Sequence, residues 1–380
     1  MQECVPGGWR MLIASVAPNF ELEIQMRTIQ TTSKCVLMAI AAISLFLAYS
    51  SSVLAASAQV EDNKAVVQRY LEAMGTAEFA AVADATLAAN HKLLRHEFEN
   101  LKYNADDPVL AAAMQPDIKA ITDRTNTIIQ FIGEGNRVAA RLQITGTHSG
   151  NLYGIPATGK AIDIAAGAIF TLENGKIVES WFMAEEARLL RQLGARLPAR
   201  QDGKINLAPV YHDTRTFNEG LRELTANPVD TPEYRHKRLL LSYKAQDKPA
   251  DYNFWAMGQH GRTTGRPYGN LVRGGIDNIV ERGAELNVEG SHGRSMSERE
   301  DMIGTVMSEG NQAMFAFRLT AINSGPLYGI PASGNALHDW ELGFAEFEDD
   351  KWTNAWYMAD ELGFLLIIGN EEALDFLVAE

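Results

Sequence analysis

Asp339, Glu341 and Tyr357, near the C-terminal end of the chain, have the side-chain types that proton transfer needs. The carboxylates stand two residues apart in the stretch Ala336–Glu348. If that stretch is a strand, alternation puts both on one face, together with Gly343. Two carboxylates beside a phenol make an acid/base pair with a donor for a carbonyl oxygen. The same alternation allows that face to meet solvent instead. His148 in Gly146-Thr-His-Ser-Gly150 is a further candidate, as a proton acceptor or as a hydrogen-bonded strand-end residue. Tyr153, Tyr328, Phe182, Trp181, Trp356 and Asn323 are candidates for binding a substrate. The tyrosines suit loop packing equally, and the tryptophans suit a core. Asp163 has the opposite parity to Ala168, so the two face opposite sides of their strand. The pairs Glu185-Glu186 and Asp360-Glu361 open a helix, where acids favour the positive end of the helix dipole. His91, His96 and Glu97 do not have the spacing of a zinc site, so no metal is expected. Neither a nucleophile elbow nor a phosphate or dinucleotide loop is present, so no cofactor is expected.

The elements that must position these residues occur twice. His148-Ser-Gly-Asn-Leu-Tyr-Gly-Ile-Pro-Ala-Thr-Gly159 returns as Asn323-Ser-Gly-Pro-Leu-Tyr-Gly-Ile-Pro-Ala-Ser-Gly334, offset by 175 residues. The offset holds upstream, from Glu134-Gly-Asn136 to Glu309-Gly-Asn311. It also holds downstream, from Trp181-Phe-Met-Ala-Glu-Glu186 to Trp356-Tyr-Met-Ala-Asp-Glu361. In the first copy, apolar spacing predicts helices over 64–74 and 79–89 and strands over 126–133, 137–147, 161–172 and 176–183. Glu173-Asn-Gly175 reads as a tight hairpin. A short helix, 185–193, is expected to end at a left-handed Gly194. Helices followed by an antiparallel meander define an α+β unit. The second copy repeats strands over 312–322, 336–348 and 351–358. Its middle, 245–295, is glycine-rich and has no counterpart in the first.

The 380 residues include 48 acidic and 34 basic side chains, a formal net charge of −14. No basic cluster is present, which argues against a nucleic-acid partner. Arg27 and Lys34 precede the apolar run 36–48, and a small-residue stretch then ends in Ala56-Ser57-Ala58, as in a secretory signal peptide starting at Met26. That run falls short of the roughly 20 residues that span a bilayer, so no stable membrane anchor is expected. The expected organisation is an extension plus cleaved signal over 1–58, one domain over 59–197, a linker over 198–204 and a second domain over 205–380. Cys4 and Cys35 both precede the cleavage site, and a periplasmic or secreted location follows.

Gly146-Thr-His-Ser-Gly150, Gly154-Ile-Pro-Ala-Thr-Gly159, Glu173-Asn-Gly-Lys-Ile-Val-Glu-Ser-Trp181 and Leu189-Leu-Arg-Gln-Leu-Gly194 together resemble the SnoaL-like polyketide cyclase family of the NTF2-like superfamily. The resemblance spans about 62–195 and, in the second copy, about 298–369. It implies two cone-shaped domains, each a curved antiparallel sheet packed on about three helices around an apolar pocket. It also implies a small-molecule ligand, and pairing of sheets as an intrachain pseudo-dimer or homodimer. In such pockets burial raises a carboxyl pKa towards the working pH, which suits proton transfer. The family's acid directly after the tryptophan is replaced by Phe182 and Tyr357. The acid two residues before the phenylalanine of the preceding strand is replaced by Ala168 and Gly343. Two functions are therefore expected: lyase, cyclase or isomerase chemistry on a small hydrophobic or carbonyl compound, or ligand binding and carriage without chemistry.

Overall fold

The computed structural model describes residues 57–95, 120–152, 155–194, 215–251, 262–264, 296–325 and 331–360. Residues 59–380 form one compact unit. Residues 1–56 of the expected extension and signal, the expected linker 198–204, Tyr153, Tyr328, Glu361, His96 and Glu97 lie outside the described residues. Among the described residues no helix is long and apolar enough to cross a membrane.

Helix α1 (57–73) opens the unit and buries Asn63, Val67, Tyr70 and Leu71, the spacing of one helix face. Helix α2 (Phe79–Thr86) follows and runs into strand β1 (Leu87–Arg95). The helix expected to reach residue 89 thus stops at Thr86. The open edge of β5 presents unpaired backbone groups, and pairing them with Leu87 and with Lys92 to Arg95 on either side outweighs the helix propensity of Ala88 and Ala89. Strands β2 (Ile121–Glu134), β3 (Arg137–His148), β4 (Ala161–Glu173) and β5 (Lys176–Ala184) form the meander, and helix α3 (Glu186–Leu193) follows. The strand order is β1-β5-β4-β3-β2. Asn174 and Gly175 turn the β4–β5 hairpin at φ +52° and +72°, and Gly194 ends α3 at +64°.

The second half contains β6 (Arg215–Thr216), helices α4 (Phe217–Ala226) and α5 (Pro232–Lys244), and β7 (Arg262–Thr264). Its meander is β8 (Met296–Glu309), β9 (Gln312–Asn323), β10 (Ala336–Glu348) and β11 (Lys351–Ala359), in the sheet order β6-β8-β9-β10-β11-β7. Each bound of β8 to β11 lies 175 residues after its counterpart in β2 to β5. The bulges repeat as well, for instance at Thr171/Leu172 and Glu346/Phe347. The sequence repeat is therefore a repeat of backbone register and irregularity. The result is α+β, with two largely antiparallel sheets packed on a few helices.

Each sheet has one face towards its helices and one towards the other sheet. On the first, Val138, Ala140, Ile164, Ala166, Ala168, Phe170 and Phe182 share a core with Val67, Tyr70 and Leu71 of α1. On the second, Phe315, Phe317, Ala345, Phe347, Ala355 and Tyr357 share a core with Phe217, Leu221, Leu240 and Leu241 of α4 and α5. The opposite faces meet in a seam containing Ala165, Trp181, Met183, Met314, Trp340, Leu342, Phe344, Trp356 and Met358.

Candidate functional site

Period-two alternation decides which side chains share a face. Glu341 pairs with Phe317 on β9 and Ala359 on β11, while Gly343 pairs with Phe315 and Tyr357. Phe315, Phe317 and Tyr357 belong to the helix-packed core, so Glu341 projects from the same face. Its side chain is 3% exposed. Tyr357 stands diagonally from Glu341, about 7–8 Å between the backbones, within reach of long and aromatic side chains. Asp339 has the same parity and pairs with Leu319, but its side chain lies outside those described.

Around the carboxylate the surface is aromatic. Phe315 stacks on Phe317 at 5.4 Å, and Tyr357 meets Phe315 edge-on at 5.8 Å. Gly343 allows this arrangement: a Cβ there would lie 2.5 Å from the Phe315 ring. The Lys244 ammonium sits 4.1 Å from the Phe317 centroid and 3.1 Å from Asp301, which Arg299 also grips through both oxygens. Phe217, Arg222, Lys244, Arg299 and Asp301 line a cleft of about 350 Å³ at the helix–sheet margin. Phe217 lies edge-on to Phe317 at 5.9 Å, so the cleft wall continues into the aromatic surface beside Glu341.

The vacant acid positions also fall on helix-packed faces. Ala168 pairs with Phe182, as Gly343 pairs with Tyr357. Phe182 is buried against Phe170 at 5.5 Å. Trp181 and Trp356 point the other way, into the seam, where Trp181 packs 6.1 Å from Trp340 and the Arg141 guanidinium lies 4.9 Å over Trp356. They therefore lie on the face opposite Phe182 and Tyr357: one step along a strand reverses the face, and both immediately precede the residue that faces the helices.

His148 and Asn323 occupy matching strand ends, and both are fully buried. The N–H of Thr158 donates to His148 Nδ1 at 3.3 Å, and the Thr158 hydroxyl lies 2.9 Å from the same nitrogen. In the second half the N–H of Ser333 donates to Asn323 Oδ1 at 2.7 Å. Both side chains therefore fasten the loop after the strand, and burial lowers the His148 pKa. Glu185 accepts the Ala165 N–H at 2.8 Å and pairs with Arg188 at 3.2 Å. Burial, the largest influence, raises its pKa. It ties α3 to β4, while Glu186 supplies the acid of the first helical turn. Asp163 is exposed beside Gln143 and Gln192, on the face away from α1.

One polar pair on the first helix-packed face went unrecognised in the sequence. His91 Nε2 lies 2.9 Å from Ser180 Oγ. Ser180 has the parity of Phe182, which is a usable signal, but nothing local tells that β1 returns to pair with β5.

Residues 64–193 match the family model described as SnoaL-like polyketide cyclase. Among solved structures, TsrD from Streptomyces laurentii is 22% identical over 36% of this chain and 96% of its own, with a TM-score of 0.29. A SnoaL-like polyketide cyclase from Agrobacterium tumefaciens C58 is 16% identical over 34% of this chain and 94% of its own, at a TM-score of 0.26. An NTF2-like protein of unknown function from Burkholderia pseudomallei K96243 is 16% identical over 35% and 98%, at 0.27. No curated protein matches the chain. The matched segment runs from within α1 to the end of α3 and contains the whole first sheet, so it is the first half of this chain that is similar to a SnoaL-like polyketide cyclase domain.

Proposed function

We propose that this is an exported protein of two SnoaL-like domains, whose second domain moves a proton on a small hydrophobic carbonyl compound. The observation that carries this reading is Glu341, a carboxyl buried on an aromatic face with Tyr357 two residue pairs along the β10–β11 ladder on the same face. Glu341 takes a proton from the carbon next to the carbonyl. Tyr357 donates to the carbonyl oxygen as negative charge develops there, and the proton is then returned. Phe315 and Phe317 supply the apolar surface that a ring or chain would cover. Tandem domain structure is supported by the repeated strand bounds and register. Export is supported by the basic start, the apolar run and Ala56-Ser57-Ala58.

The test is proton exchange into a panel of apolar ketones in D₂O, followed by NMR. Glu341→Gln is expected to slow exchange by about 10²–10⁴-fold and Tyr357→Phe by about 10²-fold. Unchanged exchange in both folded variants would remove the proton-transfer role. A carrier function is the second reading, favoured by Ala168, Phe182 and Gly343 at the vacant acid positions. It predicts saturable quenching of tryptophan fluorescence by a ketone, through Trp352 at 6.4 Å from Tyr357, with no exchange.

A further inference from the structure

β1 pairs with β5 in parallel, but its register breaks. Leu87 is opposite Ile177 and Lys92 is opposite Glu179, so residues 88–91 bulge from the ladder. Bulges re-aim side chains. Here the bulge turns the half-buried His91 towards Ser180, with Nε2 and Oγ 2.9 Å apart. Ser180 is fully buried, opposite Phe170 and on the face of Phe182. The fold does not require a hydroxyl at this position. The corresponding residue of the second sheet is Ala355, in the same packed core position. Burial lowers the His91 pKa below its ordinary 6.5, so the imidazole is uncharged at neutral pH and able to accept a proton.

We propose that Ser180 and His91 form a nucleophile–base pair in the first domain that accepts the acyl group of a small apolar ester. A serine hydroxyl is a weak nucleophile until a neighbouring base within hydrogen-bond reach takes its proton. Ser180 Oγ bonds to the ester carbonyl carbon while its proton moves to His91 Nε2, and the carbonyl π pair moves to its oxygen. Collapse restores the carbonyl and expels the alcohol oxygen, which takes the proton from His91. Water then attacks the acyl-serine by the same route and releases the carboxylic acid. Phe170, Phe182 and Tyr70, with Phe170 edge-on to both others at 5.5 and 6.0 Å, supply the apolar surroundings that select an alkyl or aryl acyl group. The partly exposed His91 marks the side from which the ester approaches.

The test uses the full chain and a fluorophosphonate probe. The Ser180 Oγ–P bond forms as fluoride leaves, and the hydroxyl proton passes to His91. Wild type is expected to carry the label on Ser180, located by peptide mass, and Ser180→Ala to lose it. His91→Gln keeps a hydrogen-bonding side chain without the base and is expected to slow labelling by about 10²-fold or more. Glu341→Gln should label at the wild-type rate, which separates this pair from the proposed site of the second domain. Circular dichroism melting establishes that each variant is folded, and the wild-type result stands independently of them. No label on Ser180 while a serine hydrolase in the same tube is labelled overturns the proposal. So does an equal rate in folded His91→Gln, or a reduced rate in folded Glu341→Gln.

Discussion

His148 and Asn323 perform one task with different chemistry, since only the imidazole titrates. The unfolded chain takes up a proton at His148 near 6.5, whereas burial lowers the folded-state pKa. Above 6.5 both states are neutral at this position and it gives no pH dependence. As pH falls below 6.5 the unfolded state gains the proton first, and stability is lost until the folded-state value is passed. His148→Asn is expected to fold and to remove this part of the decline, as measured by urea unfolding of both proteins between pH 7.5 and 5. His148→Ala is expected to cost about 1–3 kcal/mol, because a fully buried side chain is lost together with its hydrogen bonds to Thr158. A flat difference between wild type and His148→Asn across this range would remove the titration argument.

At the scale of elements, the two meanders exchange bulk across one strand pair. Ala140 opposes Ala168 on β3 and β4, whereas Phe315 opposes Gly343 on β9 and β10. The ring occupies space that a methyl group on β10 would need, with its nearest atom 2.5 Å from the ideal Cβ position. Gly343→Ala is therefore expected to destabilise by about 1–3 kcal/mol through overpacking. Phe315→Ala alone should cost about 3–5 kcal/mol through the cavity it leaves. In the double variant, which reproduces the Ala–Ala pair of the first sheet, the cost of Gly343→Ala should vanish. Additive costs in the double-mutant cycle would show that the ring and the glycine are uncoupled.

Across the whole molecule, the two sheets are joined reciprocally. Glu134 accepts the Ser308 N–H at 2.9 Å, and Glu309 accepts the Gly133 N–H at 2.8 Å. Those positions exchange under the 175-residue offset, so each sheet gives the other the same backbone donor and takes the same carboxylate. Lys237 pairs with Glu134 and Lys64 with Glu309, which adds a helix of each half to the junction. Between these ends the seam is apolar, with Trp181 against Trp340. Glu134→Ala and Glu309→Ala are each expected to cost about 1–3 kcal/mol, since each strands a backbone N–H at the edge of the seam. Thermal melts of the two single variants should show similar shifts. A loss in one variant alone would mean that the junction is reciprocal in geometry but not in energy.

Strand periodicity, turn residues and the repeat are local properties, and they were legible in the chain itself. Four strands of the first meander, three of the second, the Asn174-Gly175 turn, the left-handed Gly194 and the parity of Glu341 with Gly343 all follow from alternation and backbone conformation. Alternation cannot say which of two apolar faces meets helices and which meets another sheet. Trp181 and Phe182 are adjacent and equally hydrophobic, and only the second sheet packing on the first sends the indole to the seam. Residues 79–89 look helical until the free edge of β5 claims the last of them for β1. His91 and Ser180 are 89 residues apart, and no spacing rule links them. The sequence by itself therefore determined the repeating α+β units and the residue types available to each. Tertiary structure decided which faces became seam or pocket, and which distant side chains met, because those outcomes depend on which surfaces bury one another.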